Sequence, residues 1–350
     1  MAVDERFRAD GVFEGGGVKG IAFAGAIAAA EQDAGVREWV NVAGTSAGAI
    51  VAALLVAGYD AAGLRRIMGE AKYHRFADCG PGGMWLGGVW NAVTRLRGLA
   101  PGRYFEEWLG EQLAASPLAQ ELGKTELTFA DVRRRDLPPH SELPDVPEET
   151  YERARYRLHA IASDVTGGRM VVLPDDLPDY EDEQGARLHK DSFPVVRAIR
   201  MSMSYPFLFT PVVLHRAGKP HYVVDGGLLS NFPIWLFDNP GNPVRPTWGF
   251  RLHAGASVTE GTPYRRIPRP LWEVPLLKAM FSASMEAWDR HQMKHYAGST
   301  VSIPTHDIAT TDFGLTHADA EKLYEWGLDA AHAFFAGPGR TRIPAGATRK

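Results

Sequence analysis

Ser46 is the residue of this sequence best placed by its neighbours to act as a nucleophile. It stands in the run Gly44-Thr45-Ser46-Ala47-Gly48, between two short apolar stretches. A serine in the pattern Gly-x-Ser-x-Gly is typical of the nucleophile elbow, a tight and strained turn between a strand and a helix. Gly44 and Gly48 suit this turn because small residues let neighbouring elements approach. The pattern predicts acyl transfer through a serine at a helix N-terminus, where backbone N–H groups favour negative charge.

A second glycine-rich run, Glu14-Gly15-Gly16-Gly17-Val18-Lys19-Gly20, lies near the N-terminus. Its three consecutive glycines leave backbone N–H groups unobstructed at the start of a predicted helix. Such donors form the oxyanion hole of acyl-transfer enzymes, and loss of one typically costs about 3 kcal/mol in the transition state. Lys19 either adds positive charge beside this loop or is solvated.

The same loop satisfies the dinucleotide-binding fingerprint, because Gly15, Gly17 and Gly20 have the spacing Gly-x-Gly-x-x-Gly. That fingerprint expects an acidic residue at the end of the second strand, which binds the ribose. The second predicted strand leads instead into Ala43-Gly44-Thr45-Ser46, without a carboxylate. A phosphate-binding P-loop is disfavoured as well, since the lysine has valine before it and glycine after it. We therefore favour an oxyanion loop over a nucleotide site.

A serine nucleophile needs a base, and the sequence offers two kinds. In an α/β-hydrolase the order would be serine, then an acid, then histidine. Late histidines are present, although none lies in a distinctive turn: His253, His291, His295, His306, His317 and His332. The carboxylate that stands out is Asp225, which ends an apolar stretch and is followed by Gly226 and Gly227. From the residues alone, a base and an ordinary turn aspartate are equally good interpretations of Asp225.

Alternating strands and helices must position these residues. The apolar pattern predicts strands at 11–14 and 39–43, and helices at 18–32 and 49–56. Strand, helix, strand and helix joined by tight connections imply a parallel sheet covered on both faces. Such sheets carry their chemistry at the carboxyl ends of the strands, where both glycine runs fall.

The remainder of the chain contains further elements of the same kind. We expect strands at 157–162, 169–173, 221–224 and 248–252, and helices at 104–115, 194–203 and 271–296. The stretch 72–150 is less regular and is predicted to be an insertion over the sheet and a candidate lid. The segment 175–183 carries six acids and is predicted to be a solvated loop, since its spacing matches no EF-hand pattern.

Composition excludes several functional classes. The chain has 350 residues, of which 45% are hydrophobic and 23% charged, and a net charge of -4 argues against a nucleic-acid partner. The N-terminus lacks the apolar region of a signal peptide, and the apolar run 47–57 is shorter than the roughly 20 residues that span a bilayer. The single cysteine, Cys79, excludes an internal disulfide framework. We expect a cytoplasmic protein with peripheral membrane contact at most, and no metal or organic cofactor.

The motifs taken together resemble those of patatin-like phospholipases. The glycine loop, the Ser46 elbow and Asp225-Gly226-Gly227 occur in the order and character of that family, and the stretches 162–168, 201–206 and 231–233 are similar to it as well. The similarity runs from about residue 10 to 235, whereas 72–150 and the last third match loosely. Glu14 departs from the aspartate that the family more often has before the glycines. We expect this change to be tolerated because backbone N–H groups are the donors.

This resemblance implies a fold and a catalytic residue set. The fold would be a three-layer α/β/α arrangement with a mostly parallel central sheet, in one domain over residues 8–335. The last residues are polar and contain glycine and proline, so we expect a flexible tail at 336–350. The chemistry would use a Ser–Asp dyad without histidine, in which Ser46 attacks the acyl carbonyl and Asp225 takes the proton. The oxyanion hole would be formed by Gly15, Gly16, Gly17 and Val18. The supporting residues would be Lys19, Gly44, Gly48, Gly226 and Gly227.

The resemblance implies hydrolysis of fatty-acyl esters of phospholipids, lysophospholipids or neutral lipids. A lipid transacylase with the same dyad is an alternative, because water and alcohol acceptors differ only in the pocket. A non-catalytic lipid-binding protein is a second alternative, although it would be expected to have lost Ser46, Asp225 or a loop glycine. A dinucleotide-binding protein is a distant third. The motifs do not indicate the acyl-chain length, the headgroup or the ester position that the enzyme would prefer. They do not indicate the oligomeric state either.

Overall fold

The computed structural model describes residues 7–76, 100–143, 146–206, 208–237, 245–253, 296–306, 308–310 and 312–337. Cys79, His291, His295, the predicted helix 271–296 as far as residue 295, and the tail from residue 338 lie outside the described residues.

An eight-stranded sheet forms the centre of the described structure. Its spatial order is β5-β6-β3-β2-β1-β7-β8, with β4 paired to β3. The pairings β8-β7-β1-β2-β3 are parallel, whereas β4 and β6 are antiparallel to β3, and β5 to β6. The strands are β1 (Arg8–Phe13), β2 (Glu38–Thr45), β3 (Leu158–Asp164), β4 (Arg169–Leu173), β5 (Val212–Arg216), β6 (Lys219–Asp225), β7 (Thr247–His253) and β8 (Thr300–Pro304). The mostly parallel sheet predicted from the sequence is confirmed.

Helices cover the sheet, and the central ones are buried on all sides. They are α1 (Ile21–Asp33), α2 (Ala47–Val56), α3 (Ala61–Gly69), α4 (Arg103–Ala114), α5 (Pro117–Leu122), α6 (Glu148–Ala154), α7 (Val195–Ser202) and α8 (His317–Phe335). Every residue of α2 is buried. A helix that is apolar all round belongs in the core of a protein, which explains the continuous apolar sequence after Ser46.

Two hydrophobic cores lie on opposite faces of the sheet. Successive residues of a strand point to opposite faces, and accordingly Phe13 belongs to the larger core and Val12 to the smaller one. The larger core contains α1, α2 and α3, and the smaller one is closed by a short 3₁₀ helix, Ile234–Phe237. The predicted coverage of both faces is therefore confirmed.

The structure corrects three details of the sequence prediction. The first predicted helix begins as a 3₁₀ turn, Gly17–Gly20, before α1. Strands β5 and β8, each five residues long, were not predicted. The acidic segment 175–183 is more ordered than a solvated loop: Leu177 and Tyr180 are buried, and Asp176 Oδ2 accepts the Val172 N–H at 2.7 Å.

None of the helices in the described part of the chain combines the length and the apolar character needed to cross a lipid bilayer.

Helices α1 and α8 pack in close backbone contact through two glycines. A Cβ on Gly327 would lie 1.9 Å from the Ala22 carbonyl oxygen, and one on Gly25 would lie 2.0 Å from the Tyr324 carbonyl oxygen. Both distances are far below contact, so only glycine permits this crossing. The pair holds α1, which follows the glycine loop, against the C-terminal helix.

The crossing predicts opposite effects for the same substitution at two helical glycines. Gly327→Ala is expected to lower the free energy of unfolding by about 2 kcal/mol, because overpacking outweighs the gain in helix propensity. Gly110→Ala in α4 is the matched control, since no atom lies within 4 Å of the added Cβ. It is expected to raise the free energy of unfolding by about 0.5–1 kcal/mol. Urea unfolding followed by circular dichroism measures both, and equal shifts would contradict the close crossing.

Candidate active site

The ends of β2 and β6 meet along one edge of β3. β2 pairs with β3 up to Thr45 opposite Ile161, and β6 pairs with the next residues, so that Asp225 is opposite Ala162. β4 occupies the opposite edge of this part of β3, so β2 and β6 must share the same edge. Because β6 runs antiparallel, the two carboxyl ends meet head to head. This topology brings Ser46, the residue after β2, next to Asp225.

Ser46 forms a strained turn between β2 and α2. Its backbone has φ 53° and ψ -120°, a region that residues with a side chain rarely adopt. A Cβ on Gly44 would lie 2.3 Å from the Gly48 carbonyl, and one on Gly48 would lie 2.2 Å from the Phe13 carbonyl oxygen. The two glycines of the pattern are thus required by close backbone approach of β2, α2 and β1, as expected for a nucleophile elbow.

A buried serine holds this turn in place. The Ser46 N–H donates to Ser202 Oγ at 3.0 Å, and Ser202 Oγ donates to the Ile161 carbonyl at 2.6 Å. Ser202 is the last residue of α7 and is completely buried. The hydroxyl therefore ties the elbow to the residue of β3 at which β2 and β6 meet. Sequence reasoning gave Ser202 no role, although it lies in the stretch 201–206 that resembles the patatin-like family.

The Asp225 carboxylate is buried, with only 1% of the residue exposed. Oδ1 accepts the Gly227 N–H at 2.8 Å, and Oδ2 has no hydrogen-bond partner of ordinary geometry among the described residues. Burial raises the pKa of Asp225 to about 6, and the Ser46 hydroxyl and the Gly227 N–H offset only part of this rise. The Ser46 hydroxyl thus interacts with the carboxylate, but more loosely than in a full hydrogen bond. Oδ2 of Asp225 is therefore a buried carboxylate oxygen that lies beside the Ser46 hydroxyl.

The four candidate oxyanion donors are not equivalent. The Gly15 N–H donates to the Asn231 carbonyl at 3.0 Å, and the Val18 N–H donates to the Thr310 carbonyl at 3.2 Å. The N–H groups of Gly16 and Gly17 have no acceptor among the described residues, and Gly17 adopts φ 57°. Gly16 and Gly17 are therefore the two glycines whose N–H groups are available to an incoming oxyanion.

Glu14 and Lys19 flank the glycine loop without lining the cavity beside Ser46. The Glu14 carboxylate accepts the Leu252 N–H at 2.6 Å and Arg251 Nε at 3.2 Å, so it anchors the loop to β7. Lys19 Nζ lies 3.4 Å from Thr305 Oγ1, and burial lowers its pKa, an effect that Glu14 partly opposes. Lys19 therefore does not line the cavity, and its supporting role stays a prediction.

Ser46, Asp225 and the glycine loop line a cavity of about 680 Å³, including the part open to solvent. Its other walls are mainly apolar or aromatic side chains from α2, α3, the turn after α3, α4, the loop after α7 and the segment before α8. These are Ile50, Met68, Tyr73, Phe76, Trp108, Met203, Tyr205, Leu208, Phe209 and Phe313. Tyr73, Phe76 and Trp108 belong to the stretch 72–150. This stretch therefore builds part of the cavity wall, and its role as a lid stays a prediction.

None of the histidines in the described part of the chain lines this cavity. His253, His306 and His317 are exposed, and His332 Nδ1 lies 2.6 Å from Asp33 Oδ2. His291 and His295 lie outside the described residues. Asp225 is the one carboxylate among the described residues that line the cavity.

Comparison with known proteins identifies the family of this chain. The model of the family described as patatin-like phospholipase matches residues 11–238. The uncharacterized protein YqhO of Bacillus subtilis strain 168 is 36% identical over 327 residues, which cover 93% of this chain and 97% of YqhO. The uncharacterized protein R571 of Acanthamoeba polyphaga mimivirus is 23% identical over 160 residues, 45% of this chain and 52% of R571.

Among solved structures, VipD of Legionella pneumophila has a similar fold. The TM-score is 0.53 at 16% sequence identity, and the similarity covers 96% of this chain and 67% of VipD. The fold is accordingly a mixed α/β arrangement with a central sheet flanked by helices. With its family model matched over 11–238 and a relative 36% identical over nearly its whole length, the chain belongs to the patatin-like phospholipase family.

Proposed function

We propose that this protein is a serine lipid acyl hydrolase of the phospholipase A or lysophospholipase type, with Ser46 as nucleophile and Asp225 as base. The observation that carries the proposal is the head-to-head meeting of β2 and β6 on β3, which sets the strained Ser46 beside the buried Asp225 carboxylate. The apolar cavity in front of this pair supports a lipid substrate.

In the first half of the proposed reaction, Ser46 Oγ attacks the ester carbonyl carbon while its proton passes to Asp225 Oδ2. The carbonyl oxygen becomes an oxyanion and accepts hydrogen bonds from the N–H groups of Gly16 and Gly17. Collapse of this intermediate breaks the ester bond. The leaving alcohol takes the proton from Asp225, and the acyl group stays on Ser46.

In the second half, water attacks the acyl-Ser46 ester and gives its proton to Asp225. The oxyanion is again bound by the glycine loop, and its collapse releases the fatty acid and returns the proton to Ser46. Asp225 has the burial needed for this role, since a pKa of about 6 leaves it ionised at neutral pH and more basic than an ordinary aspartate.

The cavity lining favours the acyl part of a lipid over its headgroup. Asp225 is the only charged side chain among the described residues that line the cavity, whereas most of the other lining side chains are apolar or aromatic. Each methylene group buried there would contribute about 0.8 kcal/mol to binding. No lining residue offers a second charge for a phosphate, so headgroup selection would have to occur outside the described walls.

The transacylase alternative uses the same acyl-Ser46 intermediate. No contact of the described cavity favours an alcohol over water, so hydrolysis is the simpler proposal. Product analysis with an added lipid alcohol separates the two, because an ester product in place of the free fatty acid would require acyl transfer.

Ser46→Ala and Asp225→Asn are each expected to lower kcat/KM for p-nitrophenyl ester hydrolysis by at least about a thousandfold, because each removes one half of the dyad. Asp10→Asn is the matched control: it also alters a buried aspartate with a pKa near 6, but Asp10 does not line the cavity. Labelling with a fluorophosphonate should reach Ser46 in the control and fail in Ser46→Ala. Near-normal hydrolysis by either dyad variant would refute the assignment.

The pH dependence follows from the raised pKa of Asp225. The carboxylate must be ionised to accept the serine proton, so kcat/KM should rise with pH and be half-maximal near pH 6. An aspartate of ordinary pKa would place this midpoint near pH 4. A pH profile of p-nitrophenyl ester hydrolysis measures it, and a midpoint at or below 4.5 would contradict the role of burial.

Ser202→Ala is expected to lower kcat about tenfold with little change in KM, because the elbow loses the acceptor of the Ser46 N–H but the cavity walls stay. Ser204→Ala is the control, since Ser204 is equally buried and its hydroxyl binds the Arg200 backbone and side chain and not Ser46. Steady-state kinetics on both variants distinguishes positioning of Ser46 from loss of stability. Equal effects on kcat in the two variants would remove the positioning role of Ser202.

A further inference from the structure

Two separate cavities meet at Trp108. The cavity beside Ser46 has Trp108 in its wall. A second cavity of about 490 Å³, including its open part, is lined by Ile67, Glu70, Lys72, Tyr104, Trp108 and Gln112. Trp108 is the residue that the two sets of described lining residues share. Trp108 therefore borders both the space at Ser46 and the second space.

Neighbouring rings hold this indole in position. Its ring centroid lies 5.1 Å from that of Phe76 and 6.0 Å from that of Phe105. Phe105 is completely buried, and Trp108 itself is only 8% exposed. Phe76 lies beside Trp108 in the wall of the first cavity, whereas Tyr104, whose ring centroid is 5.9 Å from that of Phe76, lines only the second cavity. A packed aromatic side chain of this kind is a fixed wall.

The two cavities differ in chemistry. The first is lined mainly by apolar and aromatic side chains, with Asp225 as its one charged side chain among the described residues, whereas the second carries Glu70, Lys72 and Gln112. An acyl chain attached to Ser46 would gain binding energy along the first cavity and would stop at the indole. Each methylene that still fits would raise kcat/KM by about fourfold, and those beyond the wall would add nothing.

We propose that Trp108 is the end wall of the acyl-binding cavity and sets the longest acyl chain that the enzyme accepts in full. This inference rests on the proposed function. The substrate class that follows is a lipid ester whose acyl chain ends at Trp108. Removal of the indole would join the two cavities and give longer chains room to continue towards Tyr104 and Gln112.

The test is the chain-length profile of kcat/KM on p-nitrophenyl butyrate, octanoate, dodecanoate and palmitate. Wild-type activity should rise with chain length and then fall, and Trp108→Ala should move the optimum to a longer ester. We expect the palmitate-to-octanoate ratio to increase at least about tenfold. Trp108→Leu, a smaller loss of volume that keeps an apolar helix-forming residue, should move it in the same direction by less.

Two control variants separate the wall from general packing. Leu113→Ala removes a buried side chain of the same helix that lines neither cavity, and Tyr104→Ala enlarges only the second cavity. Both should keep the wild-type profile even where total activity falls. Thermal unfolding of each variant reports whether it is folded, so that Trp108→Leu decides the question if Trp108→Ala does not fold.

The outcomes distinguish this inference from the proposed function. If the wild-type protein hydrolyses none of the esters and Ser46 is not labelled by a fluorophosphonate, the proposed function itself fails. If the wild type is active and the folded Trp108 variants keep its chain-length profile, the end-wall role is overturned while the dyad stands. A shift in Tyr104→Ala or Leu113→Ala equal to that in the Trp108 variants would also overturn it.

Discussion

The pairing of β2 and β6 with consecutive residues on one edge of β3 is the constraint on which the rest of the site depends. Both strands are needed to bring Ser46 and Asp225 together. β2 must stop at Thr45 so that the edge of β3 beyond Ile161 is free, and β6 must arrive antiparallel to fill it. β4 closes the other edge of the same residues. The sheet is thus antiparallel at β4, β6 and β5, although the pairings β8-β7-β1-β2-β3 are parallel.

The strain at Ser46 is the cost of this arrangement, and the surrounding structure offsets it. A positive φ at a residue with a side chain costs on the order of 1–3 kcal/mol. Close backbone packing at Gly44 and Gly48, the buried α2 and the hydroxyl of Ser202 all fix the same turn. The Ser46 N–H donates to Ser202 Oγ, and the Asp225 N–H donates to the Ser204 carbonyl at 2.9 Å, so one short segment at the end of α7 holds both residues.

The sequence was sufficient where a local pattern imposes a local geometry. The Ser46 turn and the glycine loop were predicted because glycines between an apolar strand and a helix indicate a tight turn. Ser202 was missed because a serine at the end of a helix has no spacing that predicts a hydrogen bond to the distant Ser46. The division of the glycine loop into free and engaged N–H groups depends on Asn231 and Thr310, which are remote in the sequence. The anchoring of Glu14 to β7 depends on equally distant pairing. Long-range contacts of this kind follow from topology, which the local sequence does not encode.

Burial connects the proposed base, Asp225, to the cavity. The pKa of Asp225 is raised because its carboxylate has lost water, and the same apolar walls that exclude water would bind an acyl chain. In the proposed mechanism, a bound chain displaces further water from the cavity and thereby increases the basicity of Asp225 while substrate is present. A histidine would gain less, since burial disfavours its protonated form after it takes the proton. A carboxylate that becomes neutral on protonation is the base suited to a dry, apolar cavity.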